Sequence, residues 1–191
     1  MEKQIEQIIE DIKKTLTAER YEHCVNVMNR AEELAKKYNV DVNKAKLVGI
    51  AHDIAKQFSK EEYLEYVKLN NIEIDYIEKE AVELLHAKVG ADICKKRYGF
   101  TEDMQKAIIY HTTGNENMDD LAKVLFIADK TSKERDYINF EKVREVEKLG
   151  LNELLVFVLD TSITYTIEKG GLIHPTGIYT RNKFLKEIGN K

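Results

Sequence analysis

Four histidines and two aspartates of this chain lie in segments that read as helices or helix ends. The densest site is Gly49-Ile50-Ala51-His52-Asp53-Ile54-Ala55-Lys56, an adjacent imidazole and carboxylate in an otherwise apolar run. A buried carboxylate is expensive unless it is paired or binds a metal. Imidazole nitrogen and carboxylate oxygen suit Fe, Mn or Zn. Neighbouring helix residues point about 100° apart, so His52 and Asp53 can share an ion only if other helices complete the shell. Candidates to complete it are His23, in Arg20-Tyr21-Glu22-His23, and Asp129, in Phe126-Ile127-Ala128-Asp129-Lys130. His86 and His111 are further imidazoles for a second ion or a phosphate. Singly, each histidine is more often a satisfied core or surface residue. Asp129 alone could be a helix-end partner of Lys130 or Arg135. The ordered set of His, His-Asp, His, His and Asp on successive helices outweighs these readings for the metal site.

Cations stand where phosphate would be held. Lys56 lies one turn after His52, on the face it shares with Asp53. Arg20 precedes His23 by three residues, and Arg135 follows Asp129 by six. Either arginine can clamp phosphate in bidentate fashion, with surface solvation as the alternative. His174-Pro175-Thr176 could present amides to an anion at a helix start, or simply form a turn. Tyr63, Tyr66, Tyr98 and Tyr137 could stack on a base, although packing is the better reading for each.

The elements that must position these groups read as helices. Proline occurs once, and glycine nine times, in 191 residues. Ile5, Ile8, Ile9, Ile12 and Leu16 share one face at 3.6-residue spacing, as do Cys24, Met28, Ala31, Leu34 and Ala35. Asp41 caps a helix predicted over Val42–Lys56, and Ser59-Lys60-Glu61-Glu62 has the form of a capping box. One helical region is expected from Asp75 to Arg97, stopped by Gly99. Further helices are expected from Thr101 to Tyr110, Asp119 to Lys130, Phe140 to Leu149, Asn152 to Lys169, and Thr176 to near Gly189. The expectation is an all-α, compact single-domain bundle of about nine helices over residues 1–191. Its metal-site core would span about 19–135, and helices at about 140–189 would complete the pocket beside it.

Composition excludes several classes. Lys and Arg number 30 against 34 Asp and Glu, a net charge of -4, without the basic excess of a nucleic-acid binder. No run approaches ~18 apolar residues, so no spanning helix is expected. The N-terminus has acids among its apolar residues and no signal-peptide core. Cys24 and Cys94 are isolated and fit a reducing cytoplasm. The apolar 154–167 helix could serve a homodimer as well as a core.

The order His23, His52-Asp53, Asp129 resembles the HD-domain metal-dependent phosphohydrolases. The likeness is greatest to their YqeK branch, which hydrolyses diadenosine tetraphosphate symmetrically to two ADP. Shared segments are Arg20-Tyr21-x-His23, Ala51-His52-Asp53-Ile54-Ala55-Lys56, Leu85-His86-Ala87-x-Val89-Gly90-Ala91, Tyr110-His111-Thr112-Thr113-Gly114, and Ile127-Ala128-Asp129-Lys130 with Arg135. Gly171-Leu172-Ile173-His174-Pro175-Thr176 and Thr180-Arg181-Asn182 extend the likeness to the C-terminal part. A small serine usual after the first histidine is Cys24 here.

The resemblance implies that His23, His52, Asp53 and Asp129 hold iron, with manganese, cobalt, nickel or zinc as alternatives and a second ion as an option. It implies that His86 and His111 face the phosphates, and that Arg135, His174, Pro175, Thr176 and Arg181 contact the nucleotide. The expected chemistry is in-line attack on phosphorus by hydroxide from water whose pKa the ion lowers toward ~7. Asp53 would orient the water, with Lys56, His86 and His111 assisting. Arg20 would join His86, His111 and Arg135 on the substrate. Activity on another nucleotide, or non-catalytic nucleotide sensing, stays open as an alternative. The expected partners are the dinucleoside polyphosphate and ADP, with neither nucleic acid nor membrane.

Overall fold

The computed structural model describes residues 2–189. The helices are α1 Glu2–Thr15, α2 Ala18–Tyr38, α3 Val42–Ala51, α4 Lys60–Leu69, α5 Tyr76–Glu80, α6 Leu85–Tyr98, α7 Glu102–Tyr110, α8 Asp120–Lys130, α9 Phe140–Val146, α10 Leu151–Glu168 and α11 Pro175–Gly189. A short 3-10 turn, Val82–Leu84, joins α5 to α6. Among the described residues there is no strand, and no helix is long and apolar enough to cross a membrane.

Eleven helices replace the expected nine, and the differences have local causes. The region expected as one helix from Asp75 to Arg97 is interrupted at Ala81, whose φ of -104° and ψ of 69° are not helical. Asp75 opens α5 with a capping box, in which Glu78 returns its side chain to the Asp75 amide. The helix expected to reach Lys56 stops at Ala51. Beyond it the amides of Ile54, Lys56 and Phe58 bond to carbonyls three residues back, at 3.0, 2.8 and 3.1 Å. His52 and Asp53 therefore stand in a tightened turn at the helix end. The last helix begins at Pro175, the position where a missing amide hydrogen costs nothing.

One apolar core runs from Ile8 and Ile12 of α1 to Phe184 of α11, and a smaller cluster joins Ala55, Tyr63, Val67, Val82, Leu85 and Val89. The centre is α8, where Val124, Leu125, Ile127 and Ala128 have no exposed surface. Burying each of the larger side chains contributes about 1.5–3 kcal/mol, so Asp129 rides on a helix that cannot readily turn. α2 and α3 approach closely at Gly49, where a Cβ would lie 2.8 Å from the Met28 backbone Cα. That contact brings His23 of α2 against the end of α3. In α10, Leu154, Leu155, Val156, Val158 and Leu159 enter the core, whereas Tyr165 and Ile167 are exposed. Cys24 and Cys94 are buried free thiols.

Candidate metal centre

Five helices bring six side chains together. His23 comes from α2, His52 and Asp53 from the turn after α3, Asp129 from the end of α8. His86 comes from the first turn of α6 and His111 from the end of α7. All six residues are buried.

The outer ring nitrogens fix how the imidazoles face. His52 Nδ1 donates to the Gly49 carbonyl at 2.8 Å, and His111 Nδ1 to the Ile108 carbonyl at 2.6 Å. His86 Nδ1 donates to the Glu83 carbonyl, and His23 Nδ1 to Glu134 Oε1. A carbonyl can only accept, so the proton sits on Nδ1, and in the neutral ring Nε2 presents a lone pair. All four Nε2 atoms point inward. His23 Nε2 lies 3.2 Å from His52 Nε2, and His86 Nε2 lies 3.2 Å from His111 Nε2. Two lone pairs that close repel unless a cation or proton lies between them.

The carboxylates complete the pattern. Asp129 Oδ1 is 3.2 Å from His23 Nε2 and 4.0 Å from His52 Nε2. Asp53 Oδ2 is 3.5 Å from His52 Nε2 and 3.8 Å from His23 Nε2. The other oxygen, Asp53 Oδ1, faces the second pair, 3.2 Å from His86 Nε2 and 3.7 Å from His111 Nε2. Donors bound at about 2.0–2.2 Å to a shared ion lie roughly 3–3.5 Å apart. His23, His52 and Asp129 form one group of donor atoms that could hold an ion, and His52, Asp53 and His111 form another. Asp53 faces both imidazole pairs.

Electrostatics keeps both carboxylates ionised and two of the imidazoles neutral. Burial pushes the Asp53 carboxyl up, but His52, His111 and His86 outweigh it and hold the group well below the usual carboxylate range. Asp129 is likewise held far below it, because Lys130, His23 and Arg135 overcome burial. Burial pushes His86 down, and His111 to about 3, so both rings are neutral at pH 7. His52 is raised despite burial, by the charges of Asp53 and Asp129.

Cations ring this anionic centre. Arg20 Nη1 donates to Asp53 Oδ2 at 3.0 Å, and Arg135 bonds both the Asp129 carbonyl and its Oδ1. Lys56 Nζ lies 3.3 Å from either ring nitrogen of His86. Lys130 Nζ donates to the His111 carbonyl at 2.7 Å and to Asp129 Oδ2 at 3.1 Å. Arg20 and Arg135 also line a polar recess of about 410 Å³ that includes His23 and Gln57, the visible approach to the centre. Asp129 is thus an ion partner of both Lys130 and Arg135, and its Oδ1 also lies beside His23.

The C-terminal candidates separate. His174 Nε2 pairs with Asp75 at 2.7 Å, and its Nδ1 with Thr176 Oγ1 at 2.7 Å. His174, with Thr176, lines a cleft also formed by Thr112 and Thr113, next to His111; Pro175 opens α11 behind it. Arg181 is not drawn to the centre by any of its bonds: its Nε donates to Asp160 on α10 at 2.8 Å. Sequence reasoning missed Glu134. Its carboxylate accepts from His23 Nδ1, from Asn26 Nδ2 at 2.9 Å and from Ser132 Oγ at 2.7 Å. An acid in a charged loop after α8 carries no periodic signal that would single it out.

The model of the HD domain family matches residues 20–134. A protein of Halalkalibacterium halodurans named symmetrical bis(5'-nucleosyl)-tetraphosphatase is 38% identical over 92% of this chain and 94% of its own. Its namesake from Bacillus subtilis is 33% identical over 93% and 95%. The crystal structure of an HD superfamily hydrolase of Clostridium acetobutylicum, described as involved in NAD metabolism, superposes with a TM-score of 0.89. It is 33% identical and covers 95% of this chain and 97% of that one.

Proposed function

The chain belongs to the HD-domain family, and from that premise we propose that it is a metal-dependent hydrolase that cleaves diadenosine tetraphosphate symmetrically into two ADP. The observation that carries the reading is the convergence of four imidazole lone pairs on Asp53 and Asp129. That geometry has no use in a plain helical core. A divalent ion held there, iron by first choice, with manganese, cobalt, nickel or zinc as alternatives, offsets phosphate charge and makes a water more acidic.

His23, His52, Asp53 and Asp129 are the residues we assign to that ion. His86 and His111, neutral and facing Asp53 Oδ1, hold a second ion or a phosphate oxygen. In the hydrolysis, water oxygen joins the phosphorus of one central phosphate and the bridging P–O bond to the other breaks. The departing oxygen leaves on ADP, and the water's two protons pass out of the site. Asp53 is placed to orient the water. Lys56 and Lys130 offset charge developing on phosphate oxygens. Arg20 and Arg135, whose planar forks match phosphate, draw the polyphosphate into the recess they line. His174 and Thr176 border the nucleotide side. Arg181 has that role only if it leaves Asp160. Residues 1–191 act as one unit in this reading, in a reducing cytoplasm that suits the two free thiols, with neither nucleic acid nor membrane as partner.

The test is anaerobic purification with elemental analysis, then chromatography of products from diadenosine tetraphosphate. Two ADP per substrate are expected, with activity lost on chelation and restored by metal. AMP plus ATP as products, or full activity after complete chelation, would overturn the proposal.

A further inference from the structure

Resting on the tetraphosphate reading, we infer that Arg20 and Arg135 exchange partners. They hold Asp53 and Asp129 before a divalent ion binds and pass to the phosphates once it is bound, so that metal loading switches on the grip on substrate.

Four cations surround the two carboxylates, and only these two sit on the oxygens that face His23 and His52. Arg20 Nη1 donates to Asp53 Oδ2 at 3.0 Å, and that oxygen lies 3.5 Å from His52 Nε2 and 3.8 Å from His23 Nε2. Arg135 Nη2 donates to Asp129 Oδ1, the oxygen 3.2 Å from His23 Nε2. Lys130 takes the other oxygen of Asp129, Oδ2, and Lys56 lies against His86 instead. A cation shared by His23 and His52 must therefore use the two atoms that the arginines already use.

Two cations on one oxygen repel, and strongly in a buried site of low effective dielectric. The exchange also balances charge. Two guanidiniums carry the charge of one divalent ion, and buried carboxylates left unpaired are costly. With the ion added, the arginines are in surplus until an anion joins them. Phosphate is that anion, because its oxygens match the planar fork.

Both side chains have room to turn. Arg20 is 31% exposed and Arg135 28%, and both line the recess of about 410 Å³. Arg135 Nε donates to the Asp129 carbonyl at 2.9 Å, a bond independent of the carboxylate that can act as a pivot. Arg20 stands in the first turn of α2, where its amide is held by Thr17 Oγ1, so the stem can swing while the backbone stays. The alternative is fixed support, in which each arginine steadies its carboxylate for the ion. The two accounts differ in sign: a rival for the oxygen weakens ion binding, and a supporter strengthens it.

The test measures manganese affinity by chelator competition, and pyrophosphate affinity by calorimetry with and without manganese. Arg20→Gln and Arg135→Gln remove the charge and keep a polar stem. Lys133→Gln removes an exposed cation from the loop that carries Arg135 and controls for lost charge alone. Both arginine variants are expected to bind manganese about three- to tenfold more tightly than wild type, the worth of a partly exposed charged pair. Lys133→Gln should stay within about twofold. Manganese should raise pyrophosphate affinity in wild type, and that gain should shrink about three- to tenfold in each arginine variant. By reciprocity the gain is the coupling between the two ligands, so a lost charge that weakens pyrophosphate equally in both states leaves it unchanged. Manganese affinity that falls or holds steady in both arginine variants, an equal tightening in Lys133→Gln, or a gain of wild-type size would overturn the inference. If Arg135→Gln loses its helical circular dichroism, Arg20→Gln decides. Cleavage of the tetraphosphate to two ADP beside such a result would spare the hydrolase reading. The exchange without cleavage would sink that reading and leave the exchange standing.

Discussion

Glu134 offers the sharpest check on the proposed centre, because it would act on a bound ion only through His23. Its carboxylate is held below its ordinary range, since bonds from His23, Ser132 and Asn26 outweigh burial. It fixes which His23 nitrogen carries the proton. Removing such an outer partner of a ligand costs about 10–100-fold in metal affinity. Here the side chain keeps 36% of its surface exposed, so water can replace the lost acceptor in Glu134→Ala. The expected loss is therefore at the lower end, about tenfold or about 1.4 kcal/mol. Glu134→Gln keeps an acceptor oxygen without the charge and should lose less. Competition against a chelator of known affinity measures both, with circular dichroism to check the helices. An Ala variant that binds metal within twofold of wild type would refute the claim that Glu134 orients His23.

Asp53→Ala or His52→Ala should abolish metal uptake, read by elemental analysis, and turnover, while helical circular dichroism stays largely in place. Gly49→Ala places a Cβ 2.8 Å from the Met28 Cα, a backbone atom that cannot step aside. It should cost about 1–3 kcal/mol and lower Tm by roughly 2–4 °C for each kcal/mol. Gly189→Ala, with nothing within 4 Å, is the control and should be neutral or slightly stabilising. Glu147 tests pH dependence. Burial raises its carboxyl, but Arg30 and Lys37 together hold it below the usual 4.5. The folded value lies below the unfolded one, so its stabilisation is complete above pH 4.5 and fades as pH falls through the folded value. The Tm gap between wild type and Glu147→Gln should be largest near neutrality and close in acid. A gap that widens in acid contradicts the assigned pairing.

His52, Asp53 and Asp129 were legible in sequence because each breaks an apolar helical pattern, and His23, His86 and His111 because they recur in order with them on successive helices. Helix existence was legible from periodicity: spacing at 3.6 residues exposes itself in Ile5, Ile8, Ile12 and again across α2. Boundaries were less so. Nothing in Asp75–Arg97 is a strong breaker, yet the helix is interrupted at Ala81, just before Val82 and Leu85 enter the smaller cluster. His52 and Asp53 read as mid-helix, although the chain tightens there into short turns. The Lys130 bond to the His111 carbonyl spans 19 residues of sequence, and His23 to Glu134 spans 111. Such pairings have no local period. Arg181 illustrates the converse, a residue that the family resemblance put forward and that Asp160 engages.

Asp53 divides its two oxygens between one pair of imidazoles and another. Damage on either flank must then travel through that hinge of charge. Removing His23 and His86 together should cost less than the two single losses summed, since the first already disturbs the carboxylate on which the second relies. What looks like two adjoining half-sites would behave in a double-mutant cycle as one device.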